Sequence, residues 1–123
     1  MKTKILIVDD EAPIRMLLEQ TLEEIEEEFE LYRAKDGEEG LKIIVQEKPD
    51  IVFLDVMMPG LTGYEVLDKI KDKDELKDIK IILLTAKGST EEIKMSNRYN
   101  IHLYITKPFD PDFIVEKTLE LLQ

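Results

Sequence analysis

The residues of this chain best equipped for chemistry are three aspartates, a threonine and a lysine, and each stands at the end of a short aliphatic run. Asp9 and Asp10 follow Ile5 to Val8, Asp55 follows Ile51 to Leu54, Thr85 follows Ile81 to Leu84, and Lys107, with Thr106, follows a weaker run from Leu103. Runs this short without polar alternation read as strands buried on both faces. In an open parallel sheet, groups at the carboxyl ends of neighbouring strands share one crevice, so three carboxylates, a hydroxyl and an ammonium would converge there. Crowded carboxylates repel one another, and the usual remedies are a raised pKa or a bound cation that seeks oxygen. The chain has no Cys, and its one His, His102, is not placed in this set. A hard ion is therefore favoured over zinc, and Mg²⁺ fits because it holds a few carboxylate oxygens, keeps waters and bridges to phosphate. An anion beside it would want a cation and a hydroxyl donor, which Lys107 and Thr85 supply. A carboxylate is also a nucleophile able to form an acyl phosphate. Asp9 and Asp10 are adjacent and suited to sharing a metal, whereas Asp55 stands alone at the central strand's end and is the expected nucleophile.

Taken singly, these residues have ordinary readings. Asp9 or Asp10 would cap the helix that follows, Asp55 and Thr85 would open loops, and Lys107 would be one more exposed lysine. Their convergence, not any one of them, points to chemistry. His102 reads as an exposed or core-edge residue with no co-ligand.

The elements that must position these groups alternate between strand and helix. Ile14, Leu17, Leu18, Thr21, Leu22 and Ile25 form one helical stripe. Capping boxes at Asp36 with Glu39, Thr62 with Glu65 and Ser89 with Glu92 signal helix starts, and Asp110 before Pro111 marks another. The spacing predicts helices near residues 12 to 27, 37 to 47, 63 to 73, 90 to 99 and 111 to 122. Two weaker strands, Leu31 to Ala34 and Leu103 to Thr106, are expected at the sheet edges. Five βα units give an α/β fold, a parallel sheet with right-handed crossovers and helices on both faces. No repeat or linker interrupts residues 1–123, which are read as a single domain, with Gly60 to Gly63 as a loop. The acidic run Glu23 to Glu28 is expected at the solvated end of the first helix, with a partner-docking surface as the alternative, and that end is an unfavourable place for it in the helix dipole.

Composition narrows the partners. With 43% hydrophobic and 37% charged residues the chain is globular, not disordered. A net charge of -11 would repel nucleic-acid backbones and anionic lipid, so neither is an expected direct partner. The absence of cysteine closes thiol and disulfide chemistry and fits a reducing cytoplasm. The apolar runs are far shorter than the ~20 residues of a membrane span or the ~7 to 15 of a signal-peptide core.

Four segments in order then carry a resemblance: Ile5-Leu6-Ile7-Val8-Asp9-Asp10, Pro49-Asp50-Ile51-Val52-Phe53-Leu54-Asp55-Val56-Met57-Met58-Pro59-Gly60, Leu84-Thr85-Ala86-Lys87-Gly88 and Tyr104-Ile105-Thr106-Lys107-Pro108-Phe109. Over essentially its whole length the chain resembles the receiver domain of bacterial two-component response regulators. The resemblance implies a flavodoxin-like (βα)5 fold with strand order 2-1-3-4-5. It implies that Asp55 is phosphorylated by a histidine kinase or phosphotransfer protein, and that a downstream protein or effector domain reads the change. It assigns Asp10 as direct Mg²⁺ ligand, Asp9 as a ligand partly through water, and Met57 as a ligand through its backbone carbonyl. Lys107 would pair with phosphoryl oxygens, the Thr85 hydroxyl would swing toward them, and the Ala86 amide would donate. Tyr104 matches an aromatic switch, and the Lys107-Pro108 bond is expected to be cis. Asn100, in place of a usual Gly, and His102 with Leu103 depart from the common pattern on a surface that relatives use for output contacts. A monomer or weak dimer that strengthens on phosphorylation is expected.

Rival functions fit less well. Phosphohydrolases with an aspartyl-phosphate intermediate carry the nucleophile on the first strand with a second Asp two residues later, whereas here Glu11 follows Asp9, Ala12 follows Asp10 and Met57 follows Asp55. A flavin carrier needs a hydroxyl- and glycine-rich loop where this chain has Asp-Asp-Glu. A phosphorylation-independent pseudo-receiver typically lacks one of the acids or the lysine, and all are intact.

Overall fold

The computed structural model describes residues 2–86 and 98–123. In chain order the elements are β1 (Thr3–Val8), α1 (Ala12–Leu22), β2 (Phe29–Ala34), α2 (Gly37–Glu47), β3 (Ile51–Asp55), α3 (Gly63–Ile70), a 3-10 turn (Asp74–Leu76), β4 (Lys80–Thr85), β5 (Ile101–Thr106) and α4 (Pro111–Leu122). All strand pairs are parallel, in the order β2-β1-β3-β4-β5. This is the flavodoxin-like order, and it leaves the two weaker strands at the edges as expected.

Strand alternation divides the core between two faces. Ile5, Ile7, Ile51, Phe53, Ile82 and Leu84 pack with Leu18 and Leu22 of α1 and Ile114 of α4. Leu6, Val8, Val52, Leu54 and Leu83 pack with Ile44 of α2 and Val66 and Leu67 of α3. Because β1, β3 and β4 are covered on both faces, their aliphatic runs show no polar alternation. At ~25 cal/mol per Å² of apolar surface removed from water, these central strands hold the sheet in place and fix the strand ends.

The helix starts follow local chemistry. Asp36 accepts a hydrogen bond from the Glu39 amide at 2.8 Å, and Thr62 with Glu65 forms a full capping box. Asp110 accepts from the Asp112 amide with Pro111 in the first turn of α4. The Ser89–Glu92 box lies outside the described residues, as does nearly all of the helix expected at 90 to 99.

Two expectations need correction. α1 ends at Leu22 rather than near residue 27, and α3 at Ile70 rather than 73. Past Leu22 the chain tightens, with the Glu24 and Ile25 amides donating to the Thr21 and Leu22 carbonyls. Ile25 is still buried, so the hydrophobic stripe continues in space after the helix has stopped. Glu23, Glu24, Glu26, Glu27 and Glu28 therefore lie exposed in the α1–β2 connection. Ending the helix there spares five like charges an unfavourable place on its last turn. The left-handed conformation that Asn100 tolerates is not used: among described non-glycine residues, only Lys48 has positive φ.

Candidate functional site

The site is built where β1, β3 and β5 stop. Asp9 is the first residue beyond β1 and is fully buried. Its amide donates to the Ala34 carbonyl at 3.1 Å, tying it to the neighbouring strand. Its Oδ1 accepts from the Glu11 amide at 2.9 Å, and its Oδ2 accepts from Lys107 Nζ at 2.8 Å. Asp55 ends β3 with 4% exposure, and its Oδ1 lies 3.3 Å from the same Nζ. Asp10 is exposed, yet its carboxylate joins the other two: one oxygen from each of Asp9, Asp10 and Asp55 lies within 4.8 Å of the rest. Among the described residues no other group of three acids or imidazoles is gathered in this way.

The electrostatics follow from that crowding. Burial, then the charge of Asp9, pushes the Asp55 carboxyl up to about 7, against the pull of Lys107; a hydrogen bond with Asp10 adds to the rise. Burial works to lower the Lys107 pKa, but the hydrogen bond and charge of Asp9, followed by those of Asp55, hold it above its ordinary value. Lys107 thus stays an ammonium, while Asp55 retains a proton up to about neutrality. Three carboxylates facing one ammonium leave two negative charges unmatched when all are ionised, the charge of a divalent cation. The donors are all oxygen, two of them on buried residues and the third on exposed Asp10. Asp9, Asp10 and Asp55 therefore fit a hard divalent ion, and the chain's only His is elsewhere.

The remaining expected residues fall around this cluster. Thr85 is buried at the end of β4, and its carbonyl accepts from the Lys107 amide at 2.7 Å, which seats the lysine beside it. Ala86 follows and is exposed. The Met57 side chain is 72% exposed in the β3–α3 loop. The Lys107-Pro108 bond is cis, as expected. The Tyr104 and Tyr64 hydroxyls lie 3.3 Å apart, the Tyr64 ring stacks on Tyr99, and the Tyr99 hydroxyl donates to Asp68 at 2.7 Å. His102 is exposed on β5, away from the cluster, and its Nδ1 accepts from the Ile81 amide at 3.2 Å where the β4–β5 register shifts.

Two residues that touch the site are not evident from the sequence pattern. Arg15 Nη1 donates to the Asp9 carbonyl at 2.7 Å. Gly63, first in α3, approaches the Asp55 backbone so closely that a Cβ there would lie 2.5 Å from the Asp55 carbonyl oxygen and 3.1 Å from Val56 Cα. A glycine opening a helix carries a weak signal of such contact; Arg15, on the polar side of a helical pattern, carries none.

Known proteins resemble this chain in sequence and fold. The family model for the response regulator receiver domain covers residues 5–119. Sporulation initiation phosphotransferase F of Bacillus subtilis is 39% identical over 98% of this chain and 97% of its own length. The phosphate regulon transcriptional regulatory protein PhoB of Pseudomonas aeruginosa is 39% identical over 97% of this chain, which spans only 51% of that protein. The chemotaxis response regulator CheY4 of Vibrio cholerae superposes with a TM-score of 0.87 at 27% identity, over 98% of this chain and 99% of its own. A beryllofluoride-activated DrrB receiver domain gives 0.84 at 29% identity, covering 99% and 98%. The family is one of signalling domains rather than turnover enzymes. With fold, site geometry and family match in agreement, this chain belongs to the response regulator receiver domain family of two-component signalling.

Proposed function

We propose that residues 1–123 act as one receiver unit in which Asp55 accepts a phosphoryl group from a histidine kinase or phosphotransfer protein in a Mg²⁺-dependent reaction. The observation that carries this reading is the meeting of Asp9, Asp10 and Asp55 within 4.8 Å, with Lys107 in contact with two of them. A bound Mg²⁺, held by Asp9, Asp10, Asp55 and the Met57 carbonyl, would supply charge neutralisation to the transferring phosphoryl group. An Asp55 carboxylate oxygen attacks phosphorus as the bond to the donor's imidazole nitrogen breaks. That step needs Asp55 ionised; burial, then the charge of Asp9, raises its pKa to about 7, and a cation beside it would favour the ionised form. Lys107 then turns from Asp55 to the new phosphoryl oxygens, with the Thr85 hydroxyl and Ala86 amide as further donors.

Switching follows from the same bonds. A phosphoryl group brings about two negative charges and three acceptor oxygens, and charged hydrogen bonds contribute ~1.5 to 3 kcal/mol each. Two or three of them made in one conformation only reach the ~5.5 kcal/mol that reverses a 1:99 population. Tyr104, already in contact with Tyr64 of α3, is the side chain through which the change passes to the surface, where a downstream protein or effector domain reads it. The unit hydrolyses its own phosphoryl group, is a monomer or a weak dimer strengthened by phosphorylation, and works in the cytoplasm. No helix among the described residues is long and apolar enough to cross a membrane.

The test is intact mass after incubation with acetyl phosphate and Mg²⁺, comparing wild type with Asp55→Asn, each with and without excess chelator. One phosphoryl adduct, dependent on Mg²⁺ and absent from the variant, is expected. No adduct, together with no stabilisation by Mg²⁺ and beryllofluoride, would favour a module that binds partners without phosphorylation.

A further inference from the structure

Asp10 is the exposed member of the acidic cluster, and the direction of its side chain depends on the peptide that joins it to Asp9. That peptide is planar, so fixing the Asp9 carbonyl also fixes the Asp10 amide and narrows where the Asp10 Cα–Cβ bond points. The Asp9 amide and both its carboxylate oxygens are already held, by the Ala34 carbonyl, the Glu11 amide and Lys107. The carbonyl is held by Arg15, reaching back from the first turns of α1 to donate from Nη1 at 2.7 Å. No side chain caps α1, because the N-cap residue Glu11 makes no capping hydrogen bond. The turn from β1 into α1 therefore relies on the Asp9 carboxylate and on Arg15.

We propose that Arg15 is a positioning residue for the cation site: by gripping the Asp9 carbonyl it orients the Asp9–Asp10 peptide and keeps the Asp10 carboxylate turned toward Asp9 and Asp55. This rests on the reading of the cluster as a Mg²⁺ site. Arg15 does not touch the cation or the phosphoryl group; it acts through the backbone of the residue before a ligand. A guanidinium suits this task because it delivers a directed hydrogen bond from a planar, permanently charged head. Partners one step removed from a metal commonly change its affinity by about 10- to 100-fold.

The experiment titrates Mg²⁺ alone into wild type, Arg15→Met and Arg15→Lys, following the amide resonances of Asp10, Asp55 and Lys107, with melting temperatures in excess chelator. In Arg15→Met, Mg²⁺ affinity falls about tenfold or more. Its Asp10 amide resonance moves even without metal, while melting in chelator stays close to wild type. Arg15→Lys, which keeps the charge on a single-point donor, recovers part of the affinity and serves if Arg15→Met does not fold. Affinity within about twofold of wild type in both variants overturns the proposal. So does an affinity loss accompanied by melting of α1 in chelator in both variants, because Arg15 would then act only on the fold. A wild type that binds no Mg²⁺ overturns the reading of the site itself, and this proposal with it.

Discussion

At the amino ends of the strands, Lys4 of β1 pairs with Glu47 at 3.3 Å while about a third of each side chain, 34% and 36%, stays in water. At the carboxyl ends, Lys107 lies 2.8 Å from Asp9 and 3.3 Å from Asp55, with side-chain exposures of 14%, 0% and 6%. The first pair is matched one to one and screened by solvent. The second is a buried group with more acids than bases, and its burial, together with the charge of Asp9, raises the pKa of Asp55. The same sheet thus treats charge in opposite ways at its two ends. Exposed pairs of the first kind contribute about 0 to 1 kcal/mol, whereas unbalanced buried charge costs stability until a cation arrives. Stability has been given up at the end where chemistry is expected and nowhere comparable at the other.

The largest effect that sharpens this contrast comes from Asp55. In the unfolded chain its carboxyl ionises near 3.8, while in the fold it keeps its proton to about 7. Between those values the folded state binds the extra proton, so metal-free stability should fall as pH rises and level off above about 7. Asp55→Asn keeps the shape and removes the ionisation. Urea unfolding in chelator should show the falling limb flattened, with the variant more stable by about 2 to 4 kcal/mol near pH 8. Parallel pH profiles for the two proteins would break the contrast.

Gly63→Ala acts on the same end through packing. A Cβ 2.5 Å from the Asp55 carbonyl meets backbone, not a flexible side chain. A loss of about 1 to 3 kcal/mol and slower uptake of phosphoryl from acetyl phosphate are expected. An unchanged melting temperature would mean that α3 can move away from β3 without penalty. Lys4→Met, at the opposite end, should be the smallest: a change under about 1 kcal/mol that shrinks further in high salt. A loss as large as that of Gly63→Ala would remove the distinction between the ends.

How far the sequence alone reaches can be judged from particular segments. Ile51 to Leu54 announces a strand because burial on both faces forbids alternation, and the residue after it, Asp55, is where chemistry is expected in a parallel sheet. α2 and α4 begin and end where the periodicity places them, since Asp36 and Asp110 mark their starts. The order of the strands is carried by the family resemblance; periodicity gives a parallel sheet but no order. Local pattern overextended α1, because the stripe through Ile25 looks helical whether its last member is reached by a helix or by a turn. Arg15 is invisible, and Gly63 only weakly signalled, for a different reason. Each acts on backbone atoms brought near by the tertiary fold, and no periodicity records such a contact.

The most direct measurement is to phosphorylate the protein with acetyl phosphate and Mg²⁺, reduce the acyl phosphate with borohydride, and locate the product by peptide mass spectrometry. Homoserine in place of Asp55, and at no other aspartate, is the expected result. Reduction at Asp9 or Asp10, or at none of the three while the intact protein carries a phosphoryl group, would contradict the assignment of Asp55 as the acceptor.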